Sequence, residues 1–80
     1  MRNQVAGVKA AFANALEMWA ASRERAVIDL SRQAAALADE GRNEDAAHFS
    51  FAARFLTIKA VRERAEAAAL RAAASQPVAS

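Results

Sequence analysis

Leu37-Ala38-Asp39-Glu40-Gly41-Arg42-Asn43-Glu44-Asp45 decides the fold. Glycine enters the left-handed conformation that closes a helix at little cost, so Gly41 reads as a stop signal. Asn43 follows as a candidate N-cap, with Glu44 and Asp45 in the first turn, where carboxylates oppose the helix dipole. A stop followed at once by a start predicts two helices joined by a tight turn, and so short a connection makes them antiparallel. Working outward, helix 1 is expected over about residues 3–40, the turn over 41–43 and helix 2 over about 43–74. Pro77, after Ser75 and Gln76, ends the second helix. The expectation is a single all-α helical-hairpin domain over residues 1–76, with 77–80 as a disordered tail.

Alanine dominates the apolar residues; only about a quarter of the chain is Val, Ile, Leu, Met, Phe or Trp. Alanine favours helix more than any other residue but buries little area. Small domains with thin cores use disulfides, metals or association. With no cysteine and one histidine, association is what the composition leaves. Two hairpins pairing into a four-helix bundle would complete the core.

On helix 1, Val5, Val8, Phe12, Leu16, Trp19, Ala26, Leu30, Ala34 and Leu37 recur at threes and fours, a stripe about 100° wide. Helix 2 is apolar on two sides. Phe51, Phe55, Ile58, Ala65, Ala69 and Ala72 form one stripe, expected to face helix 1. In that register Phe12, Leu16 and Trp19 lie opposite alanines near 65–72, and Phe51, Phe55 and Ile58 lie opposite Ala34, Leu30 and Ala26. Large against small is what close packing asks for. Phe49, Ala53, Leu56, Ala60 and Ala67, with Leu70 at the edge, form the second stripe, expected to await another chain. Phe49, Leu56, Ala53 and Ala60 are therefore the candidate inter-chain residues.

Arg23 and Arg62 fall inside the expected stripes and at nearly the same level. Two guanidinium groups facing each other in a core are strongly unfavourable without acidic partners. Either both snorkel outward along their aliphatic stems, with Glu66, Glu24 or Glu63 nearby, or they mark a polar layer that fixes register or receives an acidic group. Trp19, the one tryptophan, reads as an interface core residue or a binding anchor. A short repeat also runs through the chain: Arg-Glu-Arg-Ala occurs at 23–26 and again at 62–65.

Catalytic residues are not expected, since no cysteine, serine elbow or glycine-rich phosphate loop is present. No cofactor or metal site is expected either. Asp45-x-x-His48 has metal-ligand spacing, but at the loop end it reads as a solvated turn. The net charge of +2 and the interleaving of Arg23, Arg25, Arg62 and Arg64 with Glu24, Asp29, Glu63 and Glu66 argue against nucleic acid. No apolar run reaches the ~18 residues of a membrane span, and Lys9, Asn14 and Glu17 break any secretory-signal pattern. Cytoplasm is the expected location.

Residues 36–47, with Ala53 beyond, resemble the helix–turn–helix of a tetratricopeptide unit: Gly41, Ala46 and Ala53 match its small-residue positions. The resemblance implies a helical hairpin. Ser50 stands where that family has an aromatic residue, both helices are far longer, and the repeat is absent. The function expected from the sequence is a non-catalytic protein–protein interaction module that homo-oligomerises as a small scaffold or adaptor. The alternatives are a small helical chaperone or adaptor bound obligately to a different helical protein and, further off, a nucleic-acid-associated helical protein.

Overall fold

A computed structural model describes residues 2–75, with side chains described from residue 5 onward. Pro77 and the expected tail lie outside the described residues. The fold is an all-α helical hairpin: α1 runs Arg2–Asp39 and α2 runs Asn43–Ser75. The two helices form a rod of 64 × 15 × 11 Å. Its radius of gyration is 18.1 Å, where a globular domain of this length has about 12 Å. Most side chains therefore face outward.

The turn is a Schellman closure. Gly41 has φ 78°. The Arg42 amide donates to the Leu37 carbonyl at 2.9 Å, and the Gly41 amide donates to the Ala38 carbonyl at 3.0 Å. These bonds satisfy carbonyls that the end of α1 leaves open. The Arg42 carbonyl then accepts the first α2 bond, from the Ala46 amide at 3.0 Å. The N-cap position is thus Arg42, and Asn43 is the first helical residue, one place from the sequence-based expectation. The reversal is tight enough that the residue closing α1 also opens α2. Arg42 further donates from Nε to Asp45 Oδ2 at 3.0 Å, across the first turn of α2.

Both helices carry a strict heptad on the sides that meet. On α1, Ala6, Ala13, Ala20, Val27 and Ala34 recur every seven residues, interleaved with Lys9, Leu16, Arg23, Leu30 and Leu37. On α2 the rows are Ala46, Ala53, Ala60, Ala67 and Ala74, interleaved with Phe49, Leu56, Glu63 and Leu70. All of these residues are buried or half-buried. Ala13, Leu16 and Ala67, with Leu70 packed on them, form the tightest cluster. A seven-residue repeat under-winds each helix slightly and gives the pair a left-handed supercoil.

This seam corrects the sequence-based face assignment. Leu16, Leu30, Ala34 and Leu37 do turn inward. Val5, Val8, Phe12 and Trp19 of the same expected stripe stay exposed. On α2 the two stripes exchange roles: Phe49, Ala53, Leu56, Ala60 and Ala67 pack against α1, while Phe51, Phe55 and Ile58 face away. One physical reason is electrostatic. With the phenylalanine stripe inward, Arg62 would confront Arg23. Turning α2 by nearly half a turn about its axis brings Glu63 there instead, and a like-charge layer becomes an ion pair. The register shifts with it, so that Leu16 comes level with Leu70, Leu30 with Leu56 and Leu37 with Phe49.

A Cβ built on Gly41 meets nothing within 4 Å, so substitution costs only backbone strain. Gly41→Ala is expected to destabilise the hairpin by about 1 kcal/mol, measured as a lower midpoint in urea. Gly41→Asn is expected to lose less, because asparagine tolerates the left-handed region.

Candidate interaction surface

At mid-seam Arg23 donates from Nε to Glu63 Oε1 at 2.9 Å and from Nη2 to Glu63 Oε2 at 3.1 Å. The Glu63 side chain is 10% exposed and that of Arg23 29%. The arginine stem crosses the apolar seam while its head stays at the rim, combining the two sequence-based readings of this residue. Planar two-point pairing of this kind fixes orientation as well as position. The short repeat acquires a meaning here. Antiparallel pairing of its two copies sets Arg23 against Glu63 and Glu24 against Arg64.

The seam's flank continues the pattern. Arg64 grips Glu24 through Nε at 2.7 Å and through Nη2. Arg71 grips Glu17 through Nε at 3.1 Å and through Nη2, which also donates to Asn14. Hydrogen bonding from Arg71 holds the Glu17 carboxyl below the ordinary glutamate range, and Arg64 does the same for Glu24. These exposed pairs contribute modestly to stability and mainly reinforce register. Toward the turn the same flank becomes a shallow groove floored by Ala34, Ala38, Ala46 and Ala53 and edged by Ser31 and Ser50. Across the hairpin, Gln33, Ala36, Leu37 and Phe49 line a smaller hollow beside Arg42 and Asp45.

The outer surface carries the large apolar residues. Phe51 is 72% exposed, Phe55 60% and Ile58 55%, all on the side of α2 turned away from α1. Phe12 and Trp19 are exposed in the half of α1 remote from the turn. Of the residues singled out from the sequence, Phe49, Ala53, Leu56 and Ala60 lie in the intrachain seam, Arg23 forms its ion pair, and Trp19 lies open on a flank. Arg62 sits on the outward face of α2 and, among the described residues, makes no salt bridge; the anticipated link to Glu66 does not form. Phe51 and Phe55 are legible as a stripe, and the charged Glu44 and Arg62 at the two ends of the same row are the signal that it faces outward.

Asp45 is engaged by Arg42, and among the described residues no three His, Cys, Asp or Glu side chains cluster as metal ligands. No helix among the described residues is long and apolar enough to cross a membrane. The chain matches no protein-family model, and searches of curated proteins and of solved structures give no significant match.

Two outcomes follow from the ion pairs. Glu63→Ala is expected to cost about 1–3 kcal/mol by leaving Arg23 unpaired at the seam. Arg23→Leu with Glu63→Leu is expected to recover that loss or exceed it; urea titration checks both. Glu17 and Glu24 have depressed folded-state pKa values. Their contribution is therefore present above the ordinary glutamate pKa and is lost as pH falls through the folded values. The thermal midpoint is expected to drop between about pH 5 and pH 3, less steeply in Glu17→Gln with Glu24→Gln.

Proposed function

We propose that the chain is a non-catalytic protein–protein interaction module, a cytoplasmic helical hairpin that homo-oligomerises as a small scaffold or adaptor. Two hairpins would form a four-helix bundle with α2 at its centre. The observation that supports this reading is the exposed row of Phe51, Phe55 and Ile58. At 150–250 Å² for an aromatic side chain, the exposed parts of these three supply roughly 350 Å² of apolar surface per hairpin. Contiguous apolar patches of a few hundred Å² mark interaction sites. The seam adds weight, because alanine rows leave the hairpin with little buried apolar area of its own.

A second reading, an obligate complex with a different helical protein, draws on Phe12 and Trp19, which α2–α2 pairing does not reach. The nucleic-acid reading loses support, since Arg23, Arg64 and Arg71 are engaged by glutamates.

Light scattering across a dilution series, with circular dichroism on the same samples, tests the proposal. The wild type is expected as a helical dimer or higher oligomer that dissociates on dilution. Phe55→Asp is expected to yield a monomer, because Phe55 is outside the seam. Leu56→Asp is expected to melt the hairpin itself, because Leu56 lies in it. A wild type that stays monomeric and folded at all concentrations overturns the reading.

A further inference from the structure

The outward face of α2 reads Glu44, His48, Phe51, Phe55, Ile58 and Arg62, with spacings of four, three, four, three and four. That order of spacings is the same in both directions. Glu44 and Arg62 are five full helical turns apart at 3.6 residues per turn, so they lie on one line down the helix. Between them stand the two most exposed phenylalanines of this chain, Phe51 and Phe55. Neither Glu44 nor Arg62 makes a salt bridge among the described residues.

We propose that this face binds the same face of a second copy of the chain, α2 against α2, antiparallel about a two-fold axis level with residue 53. The proposal rests on the self-association reading above and specifies its geometry. Antiparallel pairing about that point sets Phe51 against the partner's Phe55, Phe55 against the partner's Phe51, and Ile58 against the partner's His48. It also sets Arg62 against the partner's Glu44, and by symmetry Glu44 against the partner's Arg62. The apolar centre is thus closed at both ends by opposite charges. This is the pattern in which charged residues beside a helical seam select partner orientation.

The rival arrangements fail on the same residues. A parallel pair stacks Arg62 on Arg62 and Glu44 on Glu44. An antiparallel pair overlapping along the whole of α2 seats the phenylalanines on Ala65 and Ala69, a good fit in size, but it brings the two Arg62 side chains together near the axis. Only the shorter overlap, covering about residues 43–63 of each α2, neutralises both charges. The α1 helices then lie on the outer sides of the central α2 pair, and the far halves of the hairpins project in opposite directions.

Sedimentation equilibrium of Arg62→Glu, Glu44→Arg and the double variant tests the register, with helicity checked by circular dichroism. Each single reversal is expected to weaken the dimer about tenfold or more, since symmetry repeats the repulsion at both ends. The double variant is expected to return to within about threefold of wild type. Because the chain has no cysteine, Glu44→Cys with Arg62→Cys is expected to oxidise to a covalent dimer more efficiently than either single variant. Dimers unaffected by the single reversals, or not rescued in the double, overturn the register and leave self-association standing. A wild type monomeric at every concentration overturns both.

Discussion

Helices approach closely only where the side chains between them are small. α1 and α2 meet along rows of alanine, interrupted on α1 by Val27 alone. Most other features follow from that constraint. The alanines are flanked by a row of larger residues on each helix, so Leu16, Leu30, Leu37, Phe49, Leu56 and Leu70 fill the space that close approach leaves. Nothing bulkier fits between the axes, and Phe12, Trp19, Phe51 and Phe55 are consequently displaced to the outside. The thin seam and the apolar exterior are one arrangement seen from two sides.

Alanine rows specify little by themselves, because one alanine layer resembles the next. Polar groups supply the missing discrimination. Arg23 and Glu63 occupy positions in the seam where leucine would pack as well, and they bond only when brought level. Glu24 with Arg64 and Glu17 with Arg71 repeat the instruction along one flank. The structure thus divides the work: alanine sets how near the helices come, while the tight turn and the ion pairs together set where along each other they lie.

The hairpin was legible because turn chemistry is local. Gly41 closes a helix by its own conformational freedom, and helix boundaries at Asp39 and Asn43 fall within a residue or so of the reading. Which faces meet was not legible from hydrophobicity, since large residues weigh most in such a reading and the buried face here is built from the smallest. The signal was present in another form. Ala46, Ala53, Ala60, Ala67 and Ala74 keep a seven-residue period in alanine throughout, whereas the phenylalanine stripe mixes Phe51 and Ile58 with Ala65 and Ala72. Arg23 facing Arg62 is costly, and the near half-turn of α2 that sets Glu63 in place of Arg62 resolves it. The stripe of Phe49, Ala53, Leu56 and Ala60, expected to face away from α1, is therefore the one that packs on it.

The seam itself is indifferent to which molecule supplies its second helix: the same alanines and the same Arg23–Glu63 pair would form if α2 came from another chain. Selectivity for the chain's own α2 comes from the reversal at Gly41. A tether of three residues holds α2 beside α1 at an effective concentration on the order of millimolar or higher, well above what separate chains reach in dilute solution. Gly41 thus acts through mass action as much as through geometry. By bending the chain at little cost, it keeps the seam an internal property of each molecule and leaves Phe51, Phe55 and Ile58 outside it.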